Sequence, residues 1–353
     1  MLIFTAFFLS SMTGNAFIGM LIMWAVTYDV SIIAGYQKKD AWPSLTIIGI
    51  TVASVIGMGS FPYQLVPLMV FSAYQNLGGP AINYGSYVLV CWGCMFLIVV
   101  LYLLVNKFIL RVNIDKIASI NEHTFDNMKT TLDRHQKILF IVFVLMIVSF
   151  LASHMFPTSW PIIGTMAKIG LAGLSAIFVC LAMIIKIDGK PLLDFQEMAG
   201  RGVLWAAVIL TAVALPISTA ITSEGTGVQE FLIGVLVPFF QDKPVILFAV
   251  LILALALIMT NLANNAVTAL IFMAVVVSVA GAVGANATAM VVLLAIIVHI
   301  AILTPAACPM AGMMFANKDW LEPKYIYKQA VVLMIIAIVV ISTYGYALAN
   351  VLF

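Results

Sequence analysis

Charge is what this chain of 353 residues lacks most: only 8% of it is Asp, Glu, Lys or Arg, against about 25% in globular domains. With 64% of its residues hydrophobic, it carries more apolar surface than any water-soluble core could enclose. The apolar runs are also long and continuous, which excludes the short alternating strands of a membrane barrel. A net charge of +2 and the want of a basic tail speak against nucleic acid as a partner. No basic segment precedes the first apolar stretch, and no clean small-residue cleavage site ends it, so it does not read as a signal peptide. Cysteine is scarce. Cys91 and Cys94 form a C-x-x-C inside an apolar run, with no His or acid nearby in sequence, and read as packed small residues rather than a redox or transition-metal pair. Nor does any apolar run hold a nucleophile and base at helical spacing, so the chain does not read as an enzyme and no cofactor is expected.

What is present is an all-α pattern of apolar stretches near 1–27, 44–74, 84–111, 138–154, 169–187, 202–221, 227–240, 244–282, 286–317 and 325–352. Some are too long for one straight span and 227–240 is too short, the mark of broken helices and a re-entrant hairpin, here expected at 202–240. Lys38 and Lys39, then Arg111 to Lys137, then Lys186, Lys190 and Arg201, follow the first, third and fifth stretches. The intervening connections are almost free of Lys and Arg, so the odd connections are expected on the cytoplasmic side of a multi-pass cell-membrane protein, a bacterial inner or plasma membrane. Residues 112–135 alternate Ile, Phe, Met and Leu with charges at mostly helical spacing and read as an interfacial helix.

Two regions share an order. Residues 1–111 hold a polar-centred span ("SMTGN"), a span broken at "GMGSFPYQ" and a plain span; residues 244–353 hold "MTNLANNAVT", a break at "LTPAACPM" and a plain span. By the charge rule they run in opposite senses, the pattern of inverted-topology repeats. Three segments follow: 1–111 as the end of a first repeat, 112–135 as the interfacial helix, and 136–353 as a second repeat. The spans and hairpin that precede the second polar centre have no counterpart before the first, so the expectation is a chain lacking an N-terminal portion.

A helix is interrupted in hydrocarbon only where protein or a water-filled cavity covers the break. There, half-helix N-termini offer N–H groups to anions, and carbonyl, Asn, Ser and Thr oxygens can hold a small cation. Ser11, Thr13, Gly14 and Asn15 fit that work in the first half, and Thr260, Asn261, Asn264, Asn265 and Thr268 in the second. The competing reading is that such residues only glue helices together. Neither cluster contains an acid, a base or a histidine, which favours sodium over protons as the coupling ion. Glu224 and Glu230 are the acids expected at depth, and His299 reads as a packed or helix-bonded histidine, with a proton or substrate role as the lesser reading.

The order "SMTGN … GSFPYQ … GRGVLWAAVILTAVALPISTAITSEGTG … TNLANNAVTALIFM … TPAACPMAGMMF" resembles the divalent anion/sodium symporter family of the ion-transporter superfamily. The resemblance implies a homodimer that moves a transport domain against a scaffold like an elevator. It also implies sodium held at two Ser-Asn-Thr motifs and hairpin tips, and a di- or tricarboxylate or sulfate between the motifs. In register, Ser11, Met12 and Thr13 answer to the first motif and Ala263, Asn264 and Asn265 to the second. "SFPYQ" and "ACPMA" answer to the family's Thr-Pro-Pro-Asn segments. Met12, Ala263 and Met310 depart from the pattern with apolar side chains. The substrate is then expected at Ser11, Thr13, Asn15, Asn264, Asn265 and Thr268. Sodium is expected at Ser11, Gly14, Asn15, Ser60, Asn261, Asn264 and Ala307, with no transition metal. Partners are the small anion, sodium, the lipid bilayer and a second copy of the chain. Two other readings use the same residues: a permease of the superfamily for arsenite, sulfate or cation/proton exchange, and a paralogue that no longer transports.

Overall fold

The structure, a computed structural model, describes residues 1–112, 116, 133–201, 224–227, 230–231, 234, 238 and 244–353. The expected interfacial helix at 112–135 and the expected hairpin at 202–240 lie largely outside the described residues. The chain is built of helices and falls into two compact units.

The larger unit contains two runs of helices with one order. The first run is α1 (Leu2–Thr13), α2 (Ala16–Ile33), α3 (Ala41–Gly57), α4 (Leu65–Asn76) and α5 (Tyr84–Leu104), the last continued by a π-turn over Val105–Ile109. The smaller unit contributes α6 (Arg134–Met155), α7 (Pro161–Ile184) and a two-stranded ribbon of β1 (Lys186–Ile187) and β2 (Lys190–Pro191), followed by α8 (Phe195–Arg201). The second run is α9 (Val245–Thr260), α10 (Asn265–Val279), α11 (Ala287–Ile297), α12 (Pro309–Ala316) and α13 (Pro323–Val340). A π-turn over Ile341–Gly345 then joins α13 to α14 (Tyr346–Leu352). Among the described residues, four helical stretches are long and apolar enough to cross a membrane: Ala16–Ile33, Tyr84–Ile109, Asn265–Val283 and Pro323–Leu352. Together with the shorter apolar helices, this is an all-α polytopic membrane protein. Leu89 and Phe96 on α5, and Val331, Ile335 and Val339 on α13, leave outward faces apolar at helical spacing, as a lipid solvent requires.

The first polar centre differs from the span expected over 1–27. Gly14 ends α1 in the left-handed conformation (φ 63), which a side chain would disfavour. The chain then folds back, so that a Cβ on Gly19 of α2 would lie 2.5 Å from Ala6 O of α1 and would overlap Ser10 Oγ. In a continuous helix, at about 1.5 Å of rise per residue, Ala6 and Gly19 would be about 20 Å apart. The stretch 1–27 is therefore a helical hairpin with "TGN" at its tip. Hydrogen-bonding residues concentrate there because the turn exposes helix ends that need partners. Helices α9 and α10 also pack against each other across the turn at 261–264.

Each run thus reads hairpin, broken helix, long helix with a π-turn. The broken helices are α3–α4, interrupted over 58–64, and α11–α12, interrupted over 298–308. They interlock: α4 packs on α10 and α11, while α12 packs on α3. At one end of the unit, Lys38 pairs with Asp319 (3.1 Å), Ser44 Oγ donates to Trp320 O (3.1 Å) and Tyr28 stacks on Trp320. The connections after α2 and α12, both lysine-bearing, therefore share that end. Elsewhere Tyr74, near the C-terminus of α4, bonds Thr288, at the start of α11 (2.8 Å). Cys91 and Cys94 are buried free thiols, and a Cβ on Gly345 would lie 2.9 Å from Cys94 Sγ, in keeping with a packing role.

In the smaller unit, α6 opens with a reciprocal cap: Gln136 N donates to Asp133 Oδ1 (2.7 Å) and Asp133 N to Gln136 Oε1 (3.1 Å). Helix α7 bends by 96° between Pro161–Gly170 and Gly173–Ile184, where Gly170 takes φ 71. Asp188 and Gly189, both at positive φ, close the ribbon as a D-G turn.

Candidate functional site

Each hairpin tip rests on the unwound part of the broken helix in its own run. In the first run, the close approach is made by glycine. A Cβ on Gly57, the last residue of α3, would lie 2.7 Å from Phe7 O and 2.9 Å from Ser10 Cβ. Gln64 then fastens the two pieces: its Nε2 donates to Ser11 O (2.8 Å), and its Oε1 accepts from Phe61 N (2.8 Å). The side chain is buried with both ends in use, and it also borders Gly14. Ser11 Oγ sits in the same place, fully buried, with no hydrogen-bond partner among the described residues. Ser60 is also buried and donates to Gly57 O (2.9 Å).

Side-chain bonds make the approach in the second run. Asn261, wholly buried, donates from Nδ2 to Leu257 O (2.7 Å) and Ile300 O (2.8 Å). Its Oδ1 accepts from Ile302 N (2.8 Å) and Leu303 N (2.7 Å). Thr260 Oγ1 bonds Val298 O (2.7 Å) and lies 3.1 Å from Asn265 Oδ1, while Thr304 Oγ1 donates to Asn261 O (2.6 Å). These bonds occupy the backbone groups that unwinding 298–308 would otherwise leave unpaired in an apolar interior. Cys308, Ala307 and Met310 are buried beyond them, with Cys308 Sγ against Ala301 O (3.1 Å).

The polar residues of each tip separate into a buried set and an exposed set. Ser11, Thr260, Asn261, Asn265 and Thr268 are buried; Gly14, Asn15 and Asn264 are exposed, and Thr13 lies between, its hydroxyl bonded back to Leu9 O (2.7 Å). The two exposed asparagines do the same thing. Asn15 Oδ1 accepts from Phe17 N (2.9 Å) and caps α2; Asn264 Oδ1 accepts from Ala266 N (2.9 Å) and caps α10. By cap position the partner of Asn264 is thus Asn15, not Met12 as the motif register has it. An N-cap uses part of the donor capacity of a helix start, and the remaining first-turn N–H groups keep the positive end of the helix at the tip.

The two clusters are linked through their unwound segments. His299, buried in 298–308, lies against Gly59 in 58–64, where a Cβ would overlap its ring. Its Nδ1 bonds Ala295 O (2.8 Å), four residues back in α11, so it is both packed and helix-bonded. Gln64, Thr304 and the Gly59–His299 contact escaped the reading of the sequence. The only signal for them was the position of each within a Pro-containing break.

A family model described as the sodium:sulfate symporter transmembrane region matches residues 1–353. No curated protein matches the chain.

Proposed function

The chain belongs to the sodium:sulfate symporter transmembrane family, and from that premise we propose a particular working of its sodium-coupled anion transport. Sodium is held where each hairpin tip meets its unwound segment, and the anion lies against the exposed tips. The observation that carries the reading is the docking of a hairpin tip on a helix break, found in both runs of one compact unit. Ser11 Oγ, buried and without a hydrogen-bond partner among the described residues, is a ready sodium ligand, joined by Ser60, by backbone oxygens around Gly14 and Ala307, and by Asn15 and Asn264. Asn261 uses both ends of its amide on the backbone. We assign it to holding the carbonyls of 298–304 in place rather than to touching the ion through its side chain.

The substrate is a small anion, a di- or tricarboxylate, at Ser11, Thr13, Asn15, Asn264, Asn265 and Thr268. The positive starts of α2 and α10 attract it, and no acid at either tip repels it. Two runs in which the broken helices interlock support an inverted repeat. Both breaks lie in one compact unit while α6 and α7 form another, which supports movement of the first as a body, elevator fashion; a homodimer in the plasma membrane is the assembly that the resemblance to the family suggests. Sulfate, named by the family, is the second reading.

Uptake by the reconstituted protein tests this. A sodium gradient should drive accumulation of labelled dicarboxylate, and sulfate should compete if it shares the site. Thr13→Ala and Asn264→Ala should each reduce sodium-dependent uptake about tenfold, the loss of one polar contact of about 1.4 kcal/mol. Unchanged uptake in both would remove the anion site from the tips.

A further inference from the structure

We propose that His299 is the positioning residue through which the two tip-and-break clusters sense each other, with Gly59 as its seat. This rests on the reading that both clusters serve one transport cycle. The imidazole belongs to the second break and occupies space on the first: a methyl group on Gly59 would overlap its Cε1, Nε2 and Nδ1 atoms. Both neighbours of His299 are held by the second tip, since Val298 O accepts from Thr260 and Ile300 O from Asn261. The neighbour of Gly59 belongs to the first site, since Ser60 lies within the break that Gln64 fastens to Ser11. Gly59 is itself fixed from a third side, where Tyr87 Oη donates to its carbonyl. A continuous line therefore runs from Asn265 through Thr260, Val298 and His299 to Gly59, and along the chain through Ser60 to Phe61, whose N–H donates to Gln64.

The ring is suited to transmit rather than to bind. A carbonyl can only accept, so the bond to Ala295 O puts the hydrogen on Nδ1 and fixes the ring's orientation. Nε2 is left as a buried lone pair with no hydrogen-bond partner among the described residues. A close-packed side chain of this kind cannot move without moving its seat, because packed interiors shift between discrete arrangements rather than deforming smoothly. A displacement of residues 298–300 when the second tip changes occupancy must then press on Gly59, and the reverse holds as well.

The experiment is a coupling cycle in the full chain, with Cys180→Ser to remove the exposed native thiol. The reporter is an Ala263→Cys thiol at the second tip, timed by reaction with a small maleimide. The perturbation is Gln64→Ala at the first. With His299 present, Gln64→Ala should change the labelling rate about fivefold; with His299→Ala the same change should stay below about twofold. An equal response in both backgrounds overturns the proposal. A second arm covers poor folding of His299→Ala. Gly59→Ala should lower the melting temperature, and adding His299→Ser, which makes room, should restore at least about half of the loss. Purely additive losses would overturn the assignment of Gly59 as the seat. Sodium-driven uptake by the unmodified protein reports separately on the symport reading. Its absence would sink that reading, and the labelling cycle would still decide the role of His299.

Discussion

The two tips solve one problem by different chemistry. Around Ser11 the hairpin reaches the break because side chains are missing: Gly57 lets α1 approach, and Gly59 admits a ring from the other run. Around Asn261 the same approach is made by side chains that bond to backbone, through Asn261, Thr260 and Thr304. Among the described residues, the first tip is consequently poor in hydrogen bonds, with Ser10 and Ser11 hydroxyls buried and unpartnered, and the second is nearly saturated. An unpartnered oxygen costs stability where it sits, so its retention fits a group reserved for an ion better than one kept for packing.

That contrast can be broken from either side. The largest effect should come from Asn261→Ala, which strips partners from the carbonyls of Leu257 and Ile300 and the N–H groups of Ile302 and Leu303. At about 1–3 kcal/mol for each buried group left unpaired, it should prevent recovery of monodisperse protein. Gly57→Ala should come next, costing about 1–3 kcal/mol by overpacking against Phe7 O and Ser10. Thermal unfolding in detergent measures it. The two caps should then prove equal: Asn15→Ala and Asn264→Ala should each cost about 1 kcal/mol of stability. Unequal losses larger than about twofold would show that only one tip is built around its cap. The smallest cost should follow Ser11→Ala, which loses no hydrogen bond among the described residues and removes a buried polar atom: it should leave stability without sodium unchanged or slightly raised and weaken the sodium-dependent rise in melting temperature. If sodium stabilises Ser11→Ala as well as the unmodified protein, the unpartnered hydroxyl is not a ligand.

Helices and breaks were readable from the sequence because each has a local cause. An apolar run with Ser, Thr, Gly and Asn at its centre, or Pro within it, cannot continue as a buried helix, and "SMTGN", "GSFPYQ", "TNLANN" and "TPAACP" all mark interruptions in the fold. Whether the interruption at "TGN" lets the helix carry on or turns it back was not readable. That depends on Gly19 being small enough for α2 to lie against α1, a fact about two positions that only folding brings together. The pairing of Asn264 with Asn15 was hidden for a similar reason: a cap is defined by where backbone hydrogen bonding begins, not by resemblance to a motif. His299 was correctly read as helix-bonded: it lies just past the end of α11, where its ring reaches the carbonyl of Ala295 four residues back. Its neighbour Gly59 was not, because the two lie 240 positions apart in sequence without any periodicity to link them.

The interlocking of the broken helices has a consequence for how the protein is made. Helix α4 finds its packing on α10 and α11, and Tyr74 finds Thr288, 214 residues further along the chain. At translation rates of roughly 5–20 residues per second, that interval takes on the order of 10–40 s. For that time the nascent first hairpin and its break sit in the bilayer before the second run exists to cover them, with unwound backbone that lipid cannot satisfy. Gln64, reaching Ser11 from only 53 residues away, is available from the outset. It can hold the early half closed while the ribosome completes the rest.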